Sequence, residues 1–101
     1  MRETQCMECH GVRFTRHAFE RLFERGIPPD SVMRIMREGE VIASYPDDVP
    51  FPSALILGHE AGEAVHVVVA RDPDTGLCHV VTVYRPNPAI WSDDFKTRRQ
   101  P

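Results

Sequence analysis

The spacing of apolar residues changes once along this chain, and that change restricts the fold more than any other feature. Up to Gly39 the apolar side chains recur every three or four residues, as they do on one face of a helix. Beyond Gly39 they recur every second residue or form short runs bounded by glycine and proline, which is typical of strands. A chain of 101 residues, of which 42% are hydrophobic, has room for one core. The sequence therefore predicts a single α+β domain with its helices first.

Two short helices are predicted before Gly39. Thr15 is placed to cap the first helix, because its hydroxyl accepts from the free backbone N–H groups of the first turn, and Gly26 is placed to end it. Two consecutive prolines then prevent the helix from continuing. A second helix is predicted to begin at residue 30 or 31 and to end before Gly39, so that the two helices form a hairpin.

Four strands are predicted after Gly39, at residues 40–45, 53–57, 64–70 and 77–84. Their short connections predict an antiparallel meander, and the third strand, which is apolar on nearly both faces, is expected at its centre. A short C-terminal helix is predicted within 89–99, with Trp91 and Phe95 one turn apart. We expect residues 1–12 to be a flexible N-terminal segment and residues 13–99 to be the folded domain.

Charge and cysteine content narrow the class of protein further. No run of apolar residues approaches the roughly 18–20 that a membrane span requires, and the N-terminus lacks the apolar stretch of a secretory signal, so we expect a cytoplasmic protein without membrane contacts. Three cysteines, an odd number, predict reduced thiols and no disulfide in that compartment. The net charge is −3, but residues 11–37 carry six arginines against three acids, so the helical half is basic.

One face of the first helix carries residue types that suit RNA cleavage. His17, Arg21 and Arg25 follow one another at intervals of four, which places all three side chains on the same side. Metal-independent cleavage requires a base for the 2′-hydroxyl, an acid for the leaving 5′-oxygen and cations for the phosphorane, and histidine and arginine provide these. The alternative is a solvated face on which Arg21 and Arg25 pair with neighbouring glutamates.

His66 and Tyr84 are a second pair of candidates. They lie on the third and fourth predicted strands, which are expected to be neighbours, and either side chain is able to face the first helix across the sheet edge. Tyr84 is a candidate acid or phosphate donor. The alternative for both is a core position with one satisfied hydrogen bond, which is common for histidine and tyrosine within strands.

A family resemblance runs from His17 to about Arg98. The segments that carry it are His-Ala-Phe-Glu-Arg at 17–21, Glu-Arg-Gly-Ile at 24–27, Gly-Glu-Val-Ile at 39–42, Tyr-Pro-Asp-Asp at 45–48, Pro-Phe-Pro-Ser at 50–53, Leu-Gly at 57–58, His-Val-Val-Val at 66–69, Thr-Val-Tyr at 82–84, and Pro86, Trp91 and Phe95. With them the chain resembles a small bacterial and archaeal family of uncharacterised domains near the RelE/ParE/BrnT-like toxins, often encoded beside an MqsA/YgiT-type zinc-finger protein. The resemblance implies a RelE/BrnT-like fold and, by analogy, a metal-independent ribonuclease of a toxin–antitoxin pair.

The first ten residues fall outside this resemblance. Cys6, Cys9 and His10 formally match a c-type haem attachment sequence, which requires an oxidising compartment that no signal sequence indicates. Zinc is the better metal hypothesis, with Cys78 or His79 supplying further ligands, but a single Cys-x-x-Cys is weak evidence for it. A flexible, metal-free segment is the favoured interpretation.

Three hypotheses about function follow. The first is a toxin-like endoribonuclease, or a degenerate relative, that needs no cofactor, acts on RNA and is bound by a cognate antitoxin. Its site is His17 as general base or acid, Arg21 and Arg25 as phosphate clamps, and His66 and Tyr84 as supporting groups. The second is a non-catalytic module that binds a partner protein through its basic helical face or a sheet edge. The third is a small zinc-binding domain.

Overall fold

The computed structural model describes residues 8–99. Two helices and five strands follow one another along this part of the chain. In order they are β1 (Gly11–Phe14), α1 (Arg16–Arg25), α2 (Pro29–Glu38), β2 (Glu40–Tyr45), β3 (Ser53–Glu60), β4 (Glu63–Arg71) and β5 (Leu77–Tyr84).

The five strands form one mixed sheet in the order β1-β5-β4-β3-β2. Strands β2 to β5 are antiparallel to their neighbours, and β1 lies parallel to β5. Strand β4 therefore lies at the centre, as its two apolar faces predicted. A bulge in β5 opposite the step from Val68 to Val69 leaves Val81 outside the register between β4 and β5.

Both helices begin and end near the positions that the sequence predicted. Thr15 caps α1 by accepting from the backbone N–H of Ala18 at 3.1 Å, and Gly26 ends α1 in the left-handed conformation. Helix α2 begins at Pro29, a residue earlier than expected, because proline is well tolerated in the first turn of a helix. Gly39 follows its last residue.

The core lies between the helices and one face of the sheet. Helix α1 packs on β5 and α2 packs on β3. The buried side chains of this core are Ala18, Leu22, Ile27, Val32, Ile35, Met36, Ile56, Val65, Val67, Val69, Cys78, Val80 and Val83. Because side chains alternate along a strand, His66 points to the opposite face of the sheet, which we call the outer face.

The predicted fold class is wrong in its sheet. The four strands after Gly39 are present and antiparallel, but β1 makes the sheet five-stranded and mixed. Strand β1 begins inside the segment 1–12 that was expected to be flexible. It has only four residues, and its partner β5 begins more than 60 residues later, so the sequence around it gives no local signal of pairing.

The predicted C-terminal helix is also wrong. Residues 86–99 form turns and a single bridge between Trp91 and Arg98. Side chains in this segment bind nearby backbone groups: Asn87 accepts from the N–H of Ala89 at 2.8 Å, and Asp94 accepts from that of Lys96 at 3.0 Å. Such local bonds compete with the backbone bonds of a helix. The segment instead folds across the outer face.

A disulfide contradicts the expectation that the cysteines are reduced. Cys9 and Cys78 are bonded, with 5.5 Å between their Cα atoms and a sequence separation of 69. The parallel pairing of β1 with β5, which places Val12 opposite Cys78, brings the two cysteines together. Because the sequence analysis missed β1, it had no means of finding this pair. Among residues 8–99, no helix is long and apolar enough to cross a membrane.

Candidate functional site

The candidate site lies where β1 ends and β5 continues. The pairing of β1 with β5 stops at Phe14 and Val80, so residues 81–84 of β5 extend past the end of β1. Side chains of α1 and of its cap residue Thr15 take the place of the missing strand along this stretch. The Thr15 hydroxyl donates to the carbonyl of Val81 at 3.1 Å, and the Arg25 guanidinium donates to the carbonyl of Val83 at 3.3 Å. These two bonds hold α1 beside residues 81–84, which we call the free part of β5.

His17 is the exposed imidazole of this site. It lies in the first turn of α1, and its Nε2 lies 3.1 Å from the hydroxyl oxygen of Thr82. A threonine hydroxyl both donates and accepts, so this contact suits either neutral tautomer and the protonated ring. The sequence placed His17 on one face of α1 with Arg21 and Arg25, but it did not identify Thr82 as its partner.

The arginines of α1 differ in their partners. Arg21 forms an ion pair with Glu24, as the alternative interpretation of the helix face expected. Arg25 binds the Val83 carbonyl instead, and the carbonyl of Arg25 accepts from Arg85 at 3.4 Å. One bond to a carbonyl occupies one of the five N–H groups of a guanidinium, so Arg25 retains donors for another acceptor.

Arg85 is a residue that the sequence analysis missed. It follows Tyr84 directly and forms ion pairs with Glu60 at 3.4 Å and with Glu63 at 3.3 Å. Its Nη1 atom is buried and has no hydrogen-bond partner in the part of the chain that the structure describes. The signal in the sequence was its position: it is the first residue after β5, next to a candidate tyrosine.

His66 and Tyr84 form a hydrogen-bonded pair on the outer face. His66 is fully buried, its Nδ1 lies 3.2 Å from the Tyr84 hydroxyl, and its Nε2 lies 2.9 Å from the carbonyl of Phe95. A carbonyl only accepts, so Nε2 carries the proton and Nδ1 of the neutral ring accepts from the tyrosine. His66 thus orients the Tyr84 hydroxyl.

Burial shifts the pKa values of both residues. Loss of solvent lowers the pKa of His66 below its ordinary value of 6.5, and the bond to the Phe95 carbonyl opposes this only in part. Loss of solvent also raises the pKa of Tyr84 above 10.0, against the opposing charge of Arg98. At neutral pH His66 is therefore uncharged, and Tyr84 keeps its proton.

The C-terminal segment covers this pair. The Trp91 ring meets His66 edge-on with 4.5 Å between centroids, and the Arg98 guanidinium lies 5.5 Å from the centroid of the Trp91 ring. Phe95, whose carbonyl accepts from His66, has a positive φ of 61°. The buried position of His66 depends on this cover, since the segment provides both its acceptor and its largest aromatic neighbour.

The structure brings four of the five predicted residues to one stretch of β5. His17 contacts Thr82, and Arg25 contacts Val83. His66 contacts Tyr84, which is itself the fourth predicted residue on this stretch. Arg21 is the exception, because its described partner is Glu24 on its own helix.

The candidate metal ligands near the N-terminus have other partners. Cys9 and Cys78 are bonded to each other, and His10 donates through Nδ1 to the carbonyl of Thr75 at 3.1 Å. Cys6 lies outside the described residues. Within residues 8–99, no group of three or more His, Cys, Asp or Glu side chains has an arrangement that suits a metal ion.

Two concave regions lie away from these residues. The larger, about 660 Å³, lies between the end of α2 and residues 93–96, and charged side chains such as Arg34, Glu38 and Lys96 line it. The smaller, about 390 Å³, is an apolar groove at the C-terminal end of α1. Phe19 and Phe23, which border this groove, are 58% and 87% exposed. We call it the Phe19/Phe23 groove.

Comparison with known proteins assigns the chain to a family. Residues 14–85, which include all five predicted site residues, match the family model described as a domain of unknown function, DUF4258. The chain belongs to this family. No curated protein and no solved structure matches the chain. The family description names no activity, so the link to toxins and antitoxins stays a prediction. The disulfide partner Cys9 and the covering residues Trp91 and Phe95 lie outside the matched range.

Proposed function

We propose that this chain is a toxin-like, metal-independent endoribonuclease that cleaves single-stranded RNA at the free part of β5. The observation that carries the proposal is the contact of the exposed His17 imidazole with Thr82, two residues from Tyr84 on the same strand. It places an imidazole on the same stretch of β5 as a phenol whose pKa is raised by burial. These are the two kinds of group that general base and general acid catalysis require.

The proposed roles follow from exposure and, for Tyr84, from the pKa that burial raises. His17 is exposed and takes the proton of the 2′-hydroxyl. Tyr84 turns its hydroxyl proton from Nδ1 of His66 to the leaving 5′-oxygen and donates it there. Arg21 and Arg25 bind the phosphate and stabilise the charge that develops on it. His66 is buried and orients Tyr84, so it is a positioning residue rather than a group that touches the RNA.

The test is cleavage of a long single-stranded RNA in excess EDTA. His17→Ala is expected to lower the rate about 100-fold or more, because a general base contributes at least that factor. Tyr84→Phe is expected to lower it similarly with the ring still in place. His59→Ala is the matched control: this histidine is also exposed, but it lies on β3, and within residues 8–99 its imidazole has no hydrogen-bond partner.

Two outcomes contradict the proposal. If folded His17→Ala cleaves RNA at the wild-type rate, His17 is not part of the catalytic site. If the wild-type protein cleaves neither free RNA nor RNA on ribosomes, it does not have the proposed activity. Loss of cleavage in His59→Ala as well assigns the effect to folding and not to the site.

The second candidate function is a non-catalytic module that binds a partner protein, such as a cognate antitoxin. The observation that favours it is the Phe19/Phe23 groove, because two large aromatic side chains one helical turn apart are seldom left exposed without a partner. The occupant we propose is an apolar side chain on a helix of the partner. If a partner protein binds at high salt and Phe23→Ser abolishes that binding, the result supports this module. RNA binding that weakens steeply as the salt concentration rises supports the nuclease.

A further inference from the structure

The outer face carries a row of side chains that the candidate site does not use. Arg13 and His79 lie opposite each other in the pairing of β1 with β5. Both side chains point to the outer face, because the neighbours of each along its strand pack in or against the core. The same register continues across the sheet through Ala70 on β4 and Ser53 on β3 to Tyr45 on β2.

Phe51 adds a further aromatic ring to this row. Its ring stacks on the imidazole of His79, with 5.6 Å between the centroids and 12° between the planes. Phe51 and His79 are only partly buried, and Tyr45 is 43% exposed. We call Arg13, His79, Phe51 and Tyr45 the aromatic row. Solvent reaches its flat rings, and a nucleic-acid base stacks on such rings whatever its sequence.

The two ends of the aromatic row differ in charge. Arg13, at the β1 end, is exposed, and within residues 8–99 its guanidinium has no hydrogen-bond or ion-pair partner, so its donors are available to a phosphate. At the β2 end Tyr45 is followed by Asp47 and Asp48, and the Asp48 carboxylate accepts from the hydroxyl of Ser53. A phosphate backbone is therefore attracted to the β1 end and repelled from the β2 end, which leaves the rings between them to the bases.

The aromatic row lies on the same face of the sheet as the Tyr84 hydroxyl. His79 and Tyr84 both belong to β5 and are roughly 15 Å apart along the strand, given its rise per residue. The phenol of Tyr45 also acts electrostatically on that of Tyr84 and contributes to its raised pKa. An RNA strand whose scissile phosphate lies at Tyr84 therefore reaches the row with a nucleotide a few positions away.

We propose, on the basis of the nuclease function proposed above, that the aromatic row binds the bases of the single-stranded RNA substrate. Bases stack on the solvent-facing parts of Phe51, His79 and Tyr45, and Arg13 binds a phosphate of the same strand. In a duplex the bases stack on one another and leave no free faces, so the row selects single strands. Stacking accepts every base, so the row sets affinity for the strand and not a sequence preference.

The experiment measures binding of a fluorescent 2′-O-methyl RNA of about ten nucleotides by fluorescence anisotropy at low salt. The methyl group blocks the hydroxyl that the proposed cleavage needs, so binding is measured apart from cleavage. Phe51→Ala and Arg13→Gln are each expected to raise the Kd at least about fivefold, because one stacked base or one charged contact contributes that factor. Arg13→Gln is also expected to lower the slope of log Kd against log salt concentration by about 0.7. A duplex of the same length is expected to bind at least about tenfold more weakly than the single strand.

Phe23→Ala and Arg37→Gln are the matched controls, because both side chains are exposed but lie on helices, and each is expected to leave the Kd unchanged. Arg13 is exposed, so Arg13→Gln decides the test even if Phe51→Ala does not fold.

The outcomes separate this proposal from the nuclease activity. A wild-type Kd in Arg13→Gln and in folded Phe51→Ala overturns the proposal, and so does a wild-type chain that binds the duplex as tightly as the single strand or binds neither. If the wild type binds the RNA through the aromatic row but cleaves no RNA, the row is supported and only the nuclease activity is removed. If cleavage depends on His17 while the Kd is the same in all variants, the row alone is removed.

Discussion

The disulfide between Cys9 and Cys78 is expected to make a large contribution to the free energy of unfolding. It closes a loop across a sequence separation of 69 residues. In the chain-entropy model, a loop of this length restricts the unfolded chain by an amount equivalent to about 4 kcal/mol at 25 °C. Domains of this size have roughly 5–15 kcal/mol of stability in total, so loss of the bond removes a large part of it.

The assay is urea unfolding followed by the fluorescence of Trp91, the only tryptophan of the chain, which is 8% exposed. The compared proteins are Cys6→Ser, in which only one disulfide is able to form, and the double variant Cys6→Ser/Cys9→Ser. With a slope of about 1.5 kcal/mol per molar urea, the midpoint is expected to fall by roughly 2–3 M. This comparison leaves Cys78 in the core, so no cavity is created there.

A small difference refutes the reasoning. If mass spectrometry shows the disulfide in Cys6→Ser and the two midpoints nevertheless differ by less than the equivalent of about 1 kcal/mol, the covalent bond adds little. The hydrogen bonds of His10 and Arg71 then suffice to hold the segment, and the unfolded chain is already compact around these residues.

Two further predictions concern the core and the outer face. The pKa of His66 in the folded chain is lowered below 6.5, so its contribution to the free energy of unfolding is complete above pH 6.5 and is lost as the pH falls toward the folded pKa. The free energy of unfolding should therefore fall from pH 7 to pH 5. His66→Gln should lack that part of the pH dependence. In Gly58→Ala the new Cβ would lie 2.5 Å from Cγ1 of Ile35, so we expect the free energy of unfolding in urea to fall by about 1–3 kcal/mol; an unchanged midpoint contradicts this.

Local features of the sequence predicted the helices and the antiparallel strands well. Thr15 and Gly26 act as the caps that their positions indicated, and the alternation in β4 placed it at the sheet centre. These features depend on neighbours within a few residues, which a sequence displays directly. Strand β1 and the disulfide depend on a partner more than 60 residues away, and no local pattern displays such a partner.

The C-terminal segment was mispredicted for a different reason. Trp91 and Phe95 have helical spacing, but in the structure they serve the outer face from an irregular segment. Polar side chains such as Ser92 and Asp94 bind local groups there, and propensity alone does not weigh such bonds against a helix. The same segment explains why the sequence did not show that His66 is buried. Trp91 and Phe95, which cover His66, were predicted to lie in a helix.

Strand β5 connects the disulfide with the candidate site. Its first half pairs with β1 and contains Cys78, and its second half extends past β1 and contains Thr82 and Tyr84. Strand β1 leads through Thr15 directly into α1, so the register of β1 on β5 also sets how far along β5 the imidazole of His17 lies. The disulfide fixes that register from the opposite end of β1.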